Sequence, residues 1–317
     1  MKHEFRAAFA AGFVCWWSVA FLHPTPPRPK GACSAAALGS GLPYPLNNLG
    51  LPWYRRFAVQ MPPSHDERHH PSAKRNRAFI SAEIVKWLGQ DARDQHLLEV
   101  ASGTGCHAEV FAQQLPSCTI QPTEYDEARL PDILATIDEG NYSNIRPPIV
   151  LDVCSDPGTW PSPTTGAGSR LWDAVMCSNM IHISPQECTS GLLKGASAGL
   201  RMGGHLFIYG PFALNGLLVP DSNKDFDASL KARSGGSWGI RDVTWVTDLA
   251  DQEGLQLTAM TNMPANNFFV VFTKVREAAA SGTPNDDNEV RRARVAELVS
   301  EVVMPASEKL LAALSDN

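Results

Sequence analysis

Three acidic residues stand where short apolar runs give out, and the first is followed at once by a cluster of small residues. Glu99 lies near the end of the run Leu97-Leu-Glu-Val100, and Ala101-Ser-Gly-Thr-Gly105 then turns into a segment of helical pattern. Small residues there let a ligand approach the backbone closely, and the amides of a helix start point outward toward it. Glu124 lies nineteen residues after Gly105 at the end of a second run. That is the interval at which an acid accepts hydrogen bonds from ribose hydroxyls, with Asp126 as the second choice. Asp152 ends a third run, Ile149-Val-Leu-Asp152, a position that would lie near an adenine ring. The pattern points to an adenosine-containing cofactor. The glycines alone do not say which, because Gly103-Thr-Gly105-Cys-His-Ala108 also satisfies the G-x-G-x-x-A spacing of dinucleotide sites. Plainer roles exist as well: Glu99 could cap a turn and Asp152 could start a loop.

Two further runs supply a second set of candidates. Asp173-Ala-Val-Met-Cys-Ser178 delivers Asn179 and His182 to the same edge, and Tyr209 ends the run after it. A histidine near neutral pKa could deprotonate a hydroxyl, thiol or ammonium group, although backbone could equally satisfy it in a strand-to-helix turn. For Tyr209 the competing role is bulk packing.

The elements that must position these residues alternate. Strands are expected at about 96–101, 118–124, 147–152, 171–178 and 203–210, with helices between most of them. A first helix should start at Ser72 as N-cap, carry Ile80, Ile84, Trp87 and Leu88 on one face, and stop at Gly89. Ser184-Pro-Gln-Glu187 reads as a capping box opening a helix that carries Leu192, Leu193, Ala196 and Leu200 and ends at Gly203-Gly204. Such alternation predicts a parallel sheet that binds ligands beyond the carboxyl ends of its strands. The last two strands, near 255–263 and 267–274, are joined only by Pro264-Ala-Asn266, which is too short for a parallel crossover and so demands an antiparallel hairpin. Between them and the fifth strand, Asn223 to Arg233 reads as a helix with Phe226 and Leu230 facing inward. Its Asp227 and Arg233 are placed either to close over the site or to lie on a solvated face.

A strand-end acid before the glycines, on a parallel sheet closed by an antiparallel hairpin, resembles the class I S-adenosylmethionine-dependent methyltransferases, with Ala101 in place of their first glycine. From about Pro71 to Lys274 the chain also resembles a family of uncharacterised methyltransferase-like proteins whose human member is methyltransferase-like protein 26. The matching segments are Pro71 to Arg77, Glu99 to Gly105 with His107, Gln121 to Asp126, Asn179 to Pro185, Tyr209 to Phe212, Asn223 to Arg233, Trp238 to Asp242 and Met263 to Asn267. Cys106 stands where that family usually has glutamine, and Glu124 where it has aspartate. The resemblance implies an α/β, Rossmann-like class I methyltransferase fold: a seven-stranded, mostly parallel sheet with a C-terminal antiparallel hairpin and helices on both faces. It implies S-adenosyl-L-methionine as cofactor, held by Glu99, Ala101, Ser102, Gly103, Gly105, Glu124, Asp152 and Asn179, with Arg75 and Asn76 folding over it. His182, Asn179 and Tyr209 are the candidates for catalysis on a small-molecule or protein acceptor. Two other functions compete. One is a catalytically silent S-adenosylmethionine-binding module acting through partners. The other is a nicotinamide oxidoreductase, disfavoured by the lack of a Ser, Tyr-x-x-x-Lys constellation.

The rest of the chain narrows the class. A net charge of −6 argues against a general electrostatic grip on nucleic acid. The seven cysteines form no C-x-x-C pair and the nine histidines no finger spacing, so no metal and no disulfide framework are expected. Cys106, Cys154 and Cys177 fall on or beside core strands and read as small hydrophobes, while His69, His70, His107 and His205 read as structural or surface residues. Residues 1–62 lack acids between Glu4 and the end of the segment and contain the uncharged run Ala7 to Leu22, as targeting sequences do. A plastid presequence of secondary-plastid type or a mitochondrial one is expected, against a membrane anchor or a cytoplasmic protein. No stable membrane span should remain after its removal. The folded domain then covers 63–275, a polar linker 276–288, and an amphipathic helical segment 289–317. That segment is interrupted by Pro305, and its Val295, Leu298 and Val302 could pack on the domain or on a partner.

Overall fold

A computed structural model describes residues 68–89, 93–164, 171–278, 293, 296–298 and 300. The expected presequence and most of the C-terminal segment lie outside the described residues.

Helix α1 (Pro71–Leu88) begins two residues earlier than expected, because Pro71 suits a first helical position and the preceding residue must then act as cap. His70 does so, its Nδ1 accepting from the Ser72 amide at 3.2 Å. The chain continues through β1 (Gln95–Val100), α2 (Cys106–Gln114), β2 (Cys118–Glu124), α3 (Leu130–Gly140), β3 (Ile149–Val150) and β4 (Trp172–Ser178). Then come α4 (Gln186–Gly199), β5 (Leu200–Gly210), β6 (Phe212–Ala213), α5 (Asp221–Ser234), β7 (Arg241–Asp242), α6 (Val243–Gln252), β8 (Leu255–Met263) and β9 (Asn267–Lys274). Seven strands form one sheet in the order β3-β2-β1-β4-β5-β9-β8, while β6 and β7 pair separately. Pairings from β3 to β5 are parallel, and β9 runs antiparallel to both β5 and β8. The terminal hairpin therefore forms as its three-residue connection requires, with Ala265 and Asn266 both at positive φ in the turn.

Both faces of the sheet are covered. Ile80 and Ile84 of α1 and Phe111 of α2 pack on Leu97, Met176, Phe207 and Phe269. On the other face Leu192, Leu193 and Ala196 of α4 and Val243 and Val246 of α6 pack on Leu98, Val175, Ile208 and Phe272. Leu298, helical and buried, joins this second cluster, as expected if the C-terminal segment docks on the domain.

Three local expectations fail, each for a tertiary reason. Ser184 does not cap α4: its hydroxyl donates to the Met180 carbonyl at 3.0 Å and closes the short 3-10 turn Ile181–Ile183, leaving Pro185 as a cap without a side-chain bond. Gly203-Gly204 does not end α4, which stops at Gly199. Trp172 pairs with Leu200 and Ala174 with His205, so the two glycines lie in a bulge of β5. A side chain at Gly204 would stand 2.9 Å from the Arg201 carbonyl oxygen. Finally, β3 ends at Val150, and among the described residues of the connection onward to β4 the one helical element is a 3-10 turn, Pro157–Thr159, where most crossovers here carry an α-helix. This connection lies directly on α4. A Cβ at Gly191 would fall 2.3 Å from the Val153 carbonyl oxygen, and one at Gly195 would fall 2.1 Å from the Trp160 ring.

Candidate functional site

The turn after β1 is fastened to the strand beside it. The Ser102 amide donates to the Thr123 carbonyl at 2.9 Å, and the Thr123 amide donates back to the Ser102 hydroxyl at 3.2 Å. The Thr136 hydroxyl of α3 donates to the Thr104 carbonyl at 2.9 Å, and the Thr104 hydroxyl hydrogen-bonds His69 Nδ1 at 2.8 Å. Ala101 holds φ +59 within this turn, a left-handed conformation that suits glycine and strains a side chain. Gly103, at φ +62, has nothing within 4 Å of the position a Cβ would take, so its backbone faces open space. Gly105, at φ +80, leads into α2.

Glu124 closes β2 and turns its carboxylate onto that turn. Oε2 accepts from the Gly103 amide at 2.7 Å and Oε1 from the Tyr125 amide at 2.9 Å. Burial raises its pKa, opposed by these backbone donors. Lone pairs remain on both oxygens for a further donor. Asp126, the second choice, caps a 3-10 turn by accepting from the Ala128 amide. Asp152 is exposed, two residues past the end of its strand, and accepts from the Cys154 amide at 2.9 Å; it starts the following loop.

Glu99 is 1% exposed. Its Oε1 lies 3.8 Å from His107 Nδ1, and its Oε2 has no hydrogen-bond partner among the described residues. Burial pushes this carboxyl up to about 8. His107 is pushed down to about 4, mainly by burial and secondarily by Arg77 and His69, and its Nε2 hydrogen-bonds Asn76 Oδ1 at 2.8 Å. Burial raises the pKa of the Tyr209 hydroxyl to about 12, with Asn76, Asn267 and Arg75 opposing the rise. Helix α1 thus reaches the helix behind the glycines through Asn76, whereas Arg75 beside it is exposed. His107, read from the sequence as structural or surface, is a buried structural residue bonded to Asn76. It stands at the second position of α2, directly behind the glycines.

The second cluster forms past β4 and β5. Asn179, at φ +57, donates its amide to the Tyr209 carbonyl at 2.8 Å. His182 is 4% exposed, its Nδ1 has no partner among the described residues, and its ring meets Phe226 edge-on with centroids 5.7 Å apart. Burial, then Arg241 and Arg233, push its pKa down to about 3. Such an imidazole stays neutral at physiological pH and is a hydrogen-bonding group rather than a strong base. Gly210 makes the grouping possible: a Cβ there would stand 3.3 Å from His182 Nδ1 and 3.8 Å from Asn179 Oδ1. Asp227 and Arg233, placed by the sequence either to close over the site or to lie on a solvated face, are bonded within the fold. Asp227 is buried, accepting from the Ile240 amide at 2.7 Å and pairing with Lys231, while Arg233 donates to Ser229 of its own helix. Arg241 donates to the carbonyls of Ile181, Ser184 and Ser237. Leu230 faces inward as expected, but Phe226 is 37% exposed.

Several solved structures share this fold. An O-methyltransferase family protein from Burkholderia thailandensis is 18% identical with a TM-score of 0.50, over 72% of this chain and 64% of that one. TnmH is 18% identical with a TM-score of 0.51, over 64% and 56%. An O-methyltransferase family 2 protein from Planctomyces limnophilus, solved in complex with apigenin, is 18% identical with a TM-score of 0.50, over 64% and 60%. The chain therefore spans less than two thirds of the length of these proteins, and the likeness is one of fold. The sheet order, the terminal antiparallel strands and the helices on both faces make this a Rossmann-like fold of the class I methyltransferase type. Within that fold, residues 67–274 match the family described as protein of unknown function (DUF938), and the chain belongs to that family.

Proposed function

We propose that the protein is an S-adenosyl-L-methionine-dependent methyltransferase acting on a small-molecule or protein acceptor. The observation that carries this reading is Glu99: a buried carboxyl with one unpartnered oxygen, beside a glycine turn whose backbone faces open space at the carboxyl edge of β1. The residues present fit the cofactor. Gly103 and Gly105 give the close approach, the remaining lone pairs of Glu124 suit ribose hydroxyls, and Glu99 suits a cationic ligand. When bound, the cofactor supplies an electrophilic methyl group on a sulfonium.

The chain's own residues then have defined tasks. Glu99 keeps its proton up to about pH 8 in the free protein and gives it up as a positive charge arrives. Ser102 and Thr123 hold the turn rigid, so that little ordering is left to binding. His182, neutral and buried, orients the acceptor by a hydrogen bond at Nδ1. This favours an acceptor that is already a good nucleophile, for which alignment matters more than deprotonation.

Calorimetric titration tests the reading. S-adenosylhomocysteine, which lacks the sulfonium but keeps the positively charged α-ammonium, should bind with release of a proton below about pH 8, and NAD should not bind. NAD binding would restore the oxidoreductase. Cofactor binding with no transfer to any acceptor would leave the silent module. We further propose that residues 1–62 direct the protein to a plastid or mitochondrion; a fluorescent fusion that stays diffuse in the cytosol would reject it.

A further inference from the structure

Cys154 and Cys188 stand apart from the other thiols of the domain. Cys106, Cys118 and Cys177 are 1%, 2% and 0% exposed, and burial raises the pKa of each. Cys154 is exposed and Cys188 half-buried, and their sulfurs lie 3.7 Å apart. The backbones that carry them are in contact, since Gly191 of α4 abuts the Val153 carbonyl and lies within reach of the Cys154 Cα. The two chain segments are each held in place. The Cys154 amide is bonded to Asp152 Oδ1, and the Cys188 amide donates to the Pro185 carbonyl at 3.1 Å in the first turn of α4.

We propose that Cys154 and Cys188 are a reactive dithiol that peroxide converts to a disulfide, stapling the loop after β3 to the start of α4. This inference does not rest on the methyltransferase reading. Closing the bond requires the sulfurs to come about 1.7 Å closer, a shift that side-chain rotation can supply where backbones already touch. Cys154, the more exposed residue, is the attacking one: the hydrogen bond between the two thiols lowers its pKa, while burial, Asp152 and Glu187 work against that effect. In the first step the Cys154 thiolate forms an S–O bond with hydrogen peroxide, the O–O bond breaks and hydroxide leaves. In the second, the Cys188 thiolate attacks the resulting sulfenic acid, the S–S bond forms, and the hydroxyl departs as water. Two thiols and one peroxide give one disulfide and two waters. The pair sits behind Asp152 on one side and six residues past His182 on the other, so the staple ties together the segments that follow β3 and β4.

The test treats the full chain with hydrogen peroxide, alkylates remaining thiols, and maps tryptic peptides without reduction. The expected product is a linked pair of peptides, two hydrogens lighter than its parts, with fragmentation placing the link at Cys154 and Cys188. Cys188→Ser should instead leave Cys154 as a sulfenic acid that dimedone traps, and Cys154→Ser should show neither product. Dimedone labelling of Cys154 in the unaltered chain without the link would overturn the proposal. So would a link from Cys154 to Cys15, Cys33 or another chain, or no oxidation at either residue.

Discussion

The two ends of the site are built on different principles. At β1 and β2 the turn 101–105 is bonded into its neighbours, Gly103 to Glu124 and Ser102 to Thr123, and one buried oxygen of Glu99 is left without a hydrogen-bond partner among the described residues. At β4 and β5 Arg241 holds backbone carbonyls in place, and Nδ1 of His182 has no hydrogen-bond partner among the described residues. The first end leaves a carboxyl oxygen open, which suits a cationic ligand, whereas the second leaves the nitrogen of a neutral imidazole open, which suits a hydrogen-bonding one. Protonation separates the two ends as well. The folded pKa of Glu99 is raised, so its stabilising contribution is complete below about pH 4.5 and is lost as pH rises through about 8. His182 and His107 are depressed, so theirs is complete above about pH 6.5 and is lost as pH falls through about 3 and about 4.

The largest effect tests that contrast. Between about pH 6.5 and pH 8 Glu99 alone of these three changes the folding balance, so Glu99→Gln should flatten a fall in stability of on the order of 2 kcal/mol over that window. Urea midpoints across the window report it, and parallel pH profiles for the two proteins would show that the carboxyl is ionised. Of similar size, Gly210→Val should crowd His182 and Asn179 and lower methyl transfer about 30-fold, with S-adenosylhomocysteine affinity unchanged. An equal loss in both would mean the two ends are not separable. Glu124→Ala should weaken cofactor binding by about 2 kcal/mol, since a buried acceptor is removed and the Gly103 amide is left unpaired; unchanged affinity would move the ribose contact to Asp126. The smallest change is Ala101→Gly. It relieves a left-handed alanine at some entropic expense and should stabilise the fold by about 0.5 kcal/mol. A destabilised protein would show that the methyl group of Ala101, which packs against the core, outweighs its strain.

The same division decides what could be read from the sequence. The strands, the hairpin and the turn with Glu99 and Glu124 were legible because each is set by apolar runs and by spacing within a few residues. Positions governed by distant partners were not. Ser184 looks like a cap until the turn before it takes its hydroxyl, and Gly203-Gly204 look like a helix stop until β4 is laid alongside them. Asp152 reads as a strand end because Leu151 extends the apolar run beyond its last pairing. The role of His107 depends on α1 folding across from thirty residues upstream to present Asn76. Phe226 fits an inward helical stripe, yet its helix packs there through Leu230 and Asp227.

The glycines that let the β3–β4 connection lie on α4 have a dynamic corollary. Each removes on the order of 1 kcal/mol of intrinsic helix preference relative to alanine, and what replaces it is the contact with Val153 and Trp160. Helix α4 and residues 151–160 therefore have little reason to persist separately, and amide exchange should see them open and close as one cooperative unit. Because α4 starts four residues after His182, the lifetime of that unit also sets how long the second half of the site stays assembled.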